Sequence, residues 1–274
     1  MTEMSTPRHR SAKGKDRPAF LRALGKNDPP AILIFDGVEF ERSQIFKHDS
    51  WAATALYRSG DRQIVCKLNR QAPVFIIPMN WLGRWLARRE SGFLNSLSDV
   101  AGIPKAYPVN AIDGTLLKNG VAHDFVSGQP MSLKTELPVG FFDRLDKLLN
   151  QLHARHIAYI DLHKQENVIV GDDGLPYLID FQISARLPKS WGFRGLFKIL
   201  AESDCYHVEK HRRRRSCVDS RLANVQRPWW IRCHRMIAVP FRTVRRRFLV
   251  LIGVRKGTGC ASTEIATEIG LRQA

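Results

Sequence analysis

The chain has 274 residues, with 43 Lys+Arg, 26 Asp+Glu and a formal net charge of +17. Hydrophobic residues at 44% and charged residues at 25% are ordinary globular values that exclude a wholly disordered or collagen-like chain, and the length allows one large domain or two modest ones. Residues 208–256 hold fifteen Lys/Arg and two Asp/Glu, leaving only +4 for the rest, so the excess is local and implies a polyanionic neighbour for that segment.

Residues 1–30 mix Lys, Arg, Ser and Pro without periodicity and read as a mobile basic tail; with Pro7, Pro18, Pro29 and Pro30 they hold no signal peptide. From Ala31 come the strand-like runs AILIF (31–35), ATALY (53–57) and QIVCKL (63–68), the last two joined by RSGD, a hairpin signal. A helix is expected over about 80–98, with Leu82, Leu86, Phe93, Leu94 and Leu97 on its apolar stripe. The strand-like GVAHDFV (120–126) leads through Ser127, Gly128 and Pro130 to a crossing point between two lobes. A second helix is expected over about 141–156, with Phe142, Leu145, Leu148, Leu149 and Leu152 inward. In YIDLHKQENVIVGDDGLPYLIDF (159–181), GDDG links two strands as a hairpin. Strands, a helix, strands and then mostly helices make an α+β protein with a small sheet-rich lobe and a larger helical lobe. The expected layout is the tail over 1–30, lobes over 31–122 and 123–210, and a basic helical extension over 211–274.

The cysteines (Cys66, Cys205, Cys217, Cys233, Cys260) are few, odd in number and lack a C-x-x-C pair, which favours a reducing cytoplasm over a disulfide scaffold or zinc ribbon. The longest apolar run, Phe248 to Val254, is far too short for a bilayer span.

Three polar residues in the dense segment form an ordered set. Asp161 and Asn167 bracket a loop after the second helix, and the hairpin returns Asp180 beside Asn167. A carboxylate and an amide oxygen are hard ligands suited to Mg²⁺ carrying substrate phosphates, which leaves Asp161 to accept a hydroxyl proton. Each residue alone is an ordinary turn former; the order on helix, loop and hairpin is what favours chemistry. Lys67 ends an apolar strand, and Glu90 is the only acidic residue in 68–98, on the buried stripe of the first helix. A buried carboxylate is costly unless paired, so Lys67 and Glu90 are expected to pair and leave the ammonium able to reach a phosphate.

VCK, a lone helical Glu, D-L followed by Asn, and then D-F in this order resemble the protein-kinase-like fold, and within it the atypical RIO-type and lipopolysaccharide-core sugar kinases. The similarity covers about residues 40–210. It implies a bilobal fold and an ATP- and Mg²⁺-dependent transfer of phosphate to a hydroxyl, of a protein Ser/Thr or of a membrane glycolipid sugar. By matching position, Lys67 holds the α/β-phosphates and Glu90 orients it. Asp161 is the catalytic base, Asn167 and Asp180 are metal ligands, and Asp204 braces the catalytic loop. Lys47 and Ser50, in the turn FKHDSWA (46–52), and His123 and Phe125 are candidate nucleotide-binding residues. The departures are specific. Asn167 follows Asp161 by six residues rather than five, Tyr159-Ile160 replaces His-Arg, Gln182 replaces a glycine, and no G-x-G-x-x-G lies upstream. Asp204 follows Asp180 by only 24 positions, without an A-P-E motif, which leaves no room for a conventional peptide-docking segment.

EKHRRRRS (209–216) reads as a solvated face or flexible loop. In 228–254, Pro240 starts a helix with Phe241, Val244, Phe248 and Leu251 on one stripe and Arg242, Arg245, Arg246 and Arg247 around it, after Trp229 and Trp230. That stripe packs on the helical lobe or lies on an anionic membrane, making residues 209–254 the candidate membrane contact of a cytoplasmic protein at the inner membrane face. A nucleotide-binding pseudokinase or scaffold, its tail on membrane or nucleic acid, is the alternative to an enzyme. No specific nucleic-acid module is expected.

Overall fold

The computed structural model describes residues 19, 22–74 and 77–216. Most of the expected tail, the helix from Pro240, Trp229 and Trp230, and the extension beyond Ser216 lie outside the described residues. The chain is α+β and divides into two compact units that meet between Ala185 and Arg186.

The first unit is built on a curled antiparallel sheet of six strands: β1 (Ile32–Phe35), β2 (Val38–His48), β3 (Ala52–Ser59), β4 (Arg62–Asn69), β5 (Ala106–Tyr107) and β6 (Gly120–Asp124). Their order is β1-β2-β3-β4-β6-β5. Asp36 and Gly37, at φ 51° and 77°, close the β1–β2 hairpin between the paired Phe35 and Val38, the twin positive φ values of a two-residue turn. The Ser-Gly-Asp link closes β3 on β4, with Ser59 opposite Arg62 and Gly60 at φ 55°. Strand β2 has no counterpart in the sequence reading. Of its eleven residues only Phe40 is buried, so its apolar alternation is too weak to mark it as a strand.

Leu33, Phe35, Phe40, Ala55, Tyr57, Ile64, Cys66, Leu68 and Ala122 form one packed core on this sheet. Phe35 meets Phe40 and Tyr57 edge-on at ring-centre distances of 5.2 and 5.8 Å. Each such large side chain contributes about 1.5–3 kcal/mol by leaving water.

Helix α1 (Asn80–Ser96) crosses β4, β5 and β6. Its inward face is Gly83, Ala87, Glu90, Phe93 and Leu94, whereas Leu82 and Leu86 are only half-buried. The expected stripe is therefore displaced by one residue in the first two turns. The reason is close approach: a Cβ on Gly83 would stand 2.2 Å from the carbonyl oxygen of Arg70, so only a glycine fits there.

Beyond the sheet, β7 (Gly128–Pro130) leads to helix α2 (Phe141–Ala154), which starts from Gly140 at φ 72° and buries Phe141, Leu145, Leu148, Leu149 and Leu152. Phe141 takes the inward position expected of Phe142, which is half-buried. The short strand β8 (Ile157–Ala158) precedes two 3-10 turns, Asp161–His163 and Gln165–Asn167. Strands β9 (Val168–Gly171) and β10 (Pro176–Leu178) then form the expected hairpin across GDDG, and β7 completes a three-stranded sheet in the order β10-β9-β7.

In the second unit, helix α3 (Trp191–Ser216) buries Asp204, Tyr206, Val208 and His211. The basic run at its end is helical, with Arg213 and Arg214 exposed and Glu209 paired with Arg213 at 2.6 Å. Among the described residues no helix is long and apolar enough to cross a membrane.

Candidate functional site

Strand β4 carries Lys67 between Thr54 of β3 and Val121 of β6. The neighbours Cys66 and Leu68 are buried in the sheet core, and Lys67 points to the face that α1 covers. There its ammonium lies 3.2 Å from Glu90 Oε2 and 2.7 Å from Asp180 Oδ1. One cation thus serves two carboxylates, and the shorter contact goes to Asp180.

That sharing sets the protonation of the trio. Burial alone would lower the pKa of Lys67, but the charges of Glu90 and Asp180 outweigh it and raise it. Asp180 stays below the usual carboxylate range: burial opposes this, and Lys67 and Lys164 overcome it. Glu90 is pushed up to about 7, chiefly by burial, against the pull of Lys67 and with the charge of Asp180 pushing the same way.

Asp180 is set by the aromatic beside it. Phe181 is fully buried, stacked on Phe93 of α1 at 6.3 Å and edge-on to Tyr159 at 5.1 Å. With Phe181 turned inward, Asp180 takes φ 61° and faces Lys67. The Ile179 N–H donates to the Asn167 carbonyl at 3.1 Å, and the Tyr159 hydroxyl donates to the Ile179 carbonyl, which ties this segment to the loop of Asp161. Ile160 sits at φ 71°, an unusual value for a β-branched residue. Such conformations cost on the order of 1–3 kcal/mol and persist where the surroundings over-determine them; here Tyr159 and Leu162 on either side are fully buried. Tyr159 acts as a packing and hydrogen-bonding anchor.

Asp161 is 2% exposed. Its Oδ2 accepts from Lys164 Nζ at 2.7 Å and from Asn167 Nδ2 at 2.8 Å. Its Oδ1 is buried without a hydrogen-bond donor among the described residues, although His163 Nδ1 stands 3.1 Å away outside bonding geometry. The carboxylate is therefore oriented through Oδ2, which leaves Oδ1 as an acceptor. Asn167 has spent its amide nitrogen on Asp161, which leaves the amide oxygen as its remaining acceptor. Among the described residues no cluster of three or more His, Cys, Asp or Glu forms a ready-made metal cage. A carboxylate oxygen of Asp180 and the amide oxygen of Asn167 suit Mg²⁺, which keeps waters and takes further ligands from phosphates.

The structure thus joins Lys67, Glu90 and Asp180 directly and Asp161 to Asn167 directly, with Lys164 acting on both groups. Lys47, Ser50, His123 and Phe125 make hydrogen bonds or ion pairs of their own. Lys47, next to last in β2, is an exposed side chain paired with Asp49 at 2.7 Å. Asp49 also accepts from the N–H groups of Trp51 and Ala52 at 2.7 and 3.0 Å, so this turn spends two of its amides internally. The Ser50 carbonyl accepts from Arg70 at 2.6 Å. His123 is buried in β6 with Nδ1 2.8 Å from the Asp124 carbonyl; burial, aided by Lys67, lowers its pKa and keeps the ring neutral. The Phe125 N–H donates to the Gln63 carbonyl at 3.0 Å. Asp204 is fully buried on α3 in the second unit.

Lys164 and Arg89 were missed from the sequence, and Gln182 was given no role there. Lys164 follows Asp161 by three residues, the spacing that brings side chains together on a 3-10 turn, and that spacing was its one signal. Gln182 donates to Asn69 Oδ1 at 2.6 Å and binds the segment to the end of β4. Arg89, next to Glu90, reaches the carbonyls of Gln182 and Ser184 and so pins α1 to the same segment. No protein-family model matches the sequence, and no curated protein does.

Proposed function

We propose that this chain is an ATP- and Mg²⁺-dependent kinase that transfers the γ-phosphate to a hydroxyl group. The observation that carries the reading is the placement of the Lys67 ammonium against Glu90 and Asp180, together with a buried Asp161 that has one oxygen held and the other without a hydrogen-bond donor among the described residues. A bilobal kinase-like arrangement is supported by the element order: an antiparallel sheet, a helix bearing the lone glutamate, then α2, the Asp161 loop and the β9–β10 hairpin.

In this reading Lys67 holds the α/β-phosphates, and Glu90 keeps its ammonium in place. Asp180 and Asn167 would hold Mg²⁺, which would supply positive charge to the phosphates. Asp161 Oδ1 takes the proton of the acceptor hydroxyl as that oxygen bonds to the γ-phosphorus, and the bond from phosphorus to the β–γ bridging oxygen breaks with its electrons leaving on ADP. Positioning and charge neutralisation are the main needs of such a transfer. The acceptor reading that fits best is a sugar hydroxyl, with protein Ser/Thr as the competing one. Residues 181–190 alone separate Asp180 from α3, too few for a peptide-docking segment. The protein would work in the cytoplasm, peripheral at the inner membrane face.

Incubation of the full chain with labelled ATP and crude cell fractions tests this, with counting of the lipid extract and the protein fraction separately. Asp180→Asn is expected to abolish transfer, and Lys67→Ala to cost about 3–4 kcal/mol of transition-state stabilisation. Retention of wild-type transfer by either variant removes the reading. A nucleotide-binding pseudokinase is the second reading, favoured by the turn at Asp49, whose amides bond internally. It predicts ATP-dependent thermal stabilisation with no label transferred to any fraction.

A further inference from the structure

The outer face of α1 is not that of an ordinary surface helix. Trp81, Arg84, Trp85 and Arg88 follow the i, i+3, i+4, i+7 spacing of one helical face, and all four are exposed. They lie opposite the buried Gly83, Ala87, Glu90 and Phe93. Trp81 is 63% and Trp85 49% exposed. Large aromatics on a solvent-facing helical face expose apolar area that calls for a partner. The only carboxylate on α1, Glu90, is on the other side of the helix, so this face has no negative charge.

The surface continues past the start of the helix. Ile77, just before α1, is 58% exposed, and Leu116, in the β5–β6 connection, is 51% exposed. Leu116, Arg84 and Lys118 line a cleft of about 710 Å³ that holds no acidic residue. Aliphatic and indole side chains interleaved with guanidinium and ammonium groups match a bilayer interface, where tryptophan sits at the headgroup level and Lys/Arg meet anionic phosphates.

We infer that the outer face of α1, with Ile77, Leu116 and Lys118, docks on an anionic membrane surface. The segment 217–256 of this chain is a poor occupant of the same face, because it carries ten Lys/Arg and one Asp and would bring like charge. Nucleic acid shares the anionic charge but gives Ile77 and Leu116 no apolar environment. The inference does not rest on the proposed phosphotransfer, and it places the membrane contact on described residues instead of the basic extension.

The test is co-sedimentation of the full chain with phosphatidylglycerol/phosphatidylcholine vesicles and with phosphatidylcholine alone, combined with quenching of tryptophan fluorescence by brominated lipid. Binding is expected to require phosphatidylglycerol and to weaken with salt. Trp81→Ser/Trp85→Ser and, separately, Arg84→Gln/Arg88→Gln are each expected to weaken it by roughly tenfold or more. The second pair changes only exposed polar groups, so it serves if the first unfolds the chain. Quenching should persist in Trp229→Phe/Trp230→Phe and fall in Trp81→Ser/Trp85→Ser. Vesicle affinity unchanged by both α1 pairs, or quenching lost only with Trp229 and Trp230, overturns the inference. So does loss of single-stranded DNA binding in the α1 variants with vesicle binding intact.

Discussion

Lys67 holds two carboxylates with one ammonium, and the geometry decides which of them keeps its charge. Asp180, at 2.7 Å, is the better paired, while Glu90 is almost fully buried and pushed up to about 7. A carboxyl with a native pKa above its unfolded value favours the folded state while protonated. Its contribution is complete below the unfolded value near 4.5 and is lost as the pH rises through 7. Glu90→Gln should therefore remove a fall in unfolding free energy between about pH 5 and 7.5 that reaches on the order of 3 kcal/mol. Urea unfolding of both proteins across that range checks this; the difference between them cancels the histidines, whose titration is common to both. A slope identical in the two proteins would show that Glu90 is ionised throughout. The types and order of Lys67, Glu90, Asp161, Asn167 and Asp180 are readable in the chain. The competition for Lys67 is not, because Asp180 lies 113 residues away in sequence.

Helix α1 joins the sheet to the candidate site. It presses its backbone onto Arg70 at Gly83, carries Glu90 two turns further along the same face, and is clamped to the Asp180 segment through Arg89. Gly83→Ala puts a methyl 2.2 Å from a backbone carbonyl, where neither side can yield cheaply, so α1 must move and draw Glu90 away from Lys67. The expected cost is about 1–3 kcal/mol of stability, with a matching fall in label transfer. Gly92→Ala on the same helix meets nothing within 4 Å and should instead stabilise by about 0.5–1 kcal/mol through helix propensity. Thermal melts of the pair separate close approach from propensity; equal shifts would contradict the packing described. The helix itself was legible from its leucines, but its rotation was not. Leucine marks an apolar face, whereas Gly83 and Ala87 turn inward because the sheet backbone lies too close for anything larger.

Charge and burial are unevenly distributed over the protein. Most of the positive excess lies in 208–256, while the first unit has a sheet core that places Cys66 at 1% exposure and pushes its thiol far up by burial. Cys205 is exposed. Brief alkylation with peptide mapping should label Cys205 in the native state and Cys66 only with denaturant, at the midpoint seen by circular dichroism, since opening the sheet core is opening of the unit. Labelling of Cys66 at native conditions would mean that β4 opens locally and that Lys67 is less firmly held than its contacts imply. Local pattern was enough to establish the α+β class, the hairpins at RSGD and GDDG and the set of polar residues, because periodicity and turn chemistry are interactions between near neighbours. Folding in three dimensions settled the rest. It produced β2, whose apolar alternation is too weak to mark a strand, the use of the turn amides by Asp49, the pinning of Asp161 by Lys164, and the choice of Lys67 between two acids. Each of these depends on distances between segments that only packing brings together.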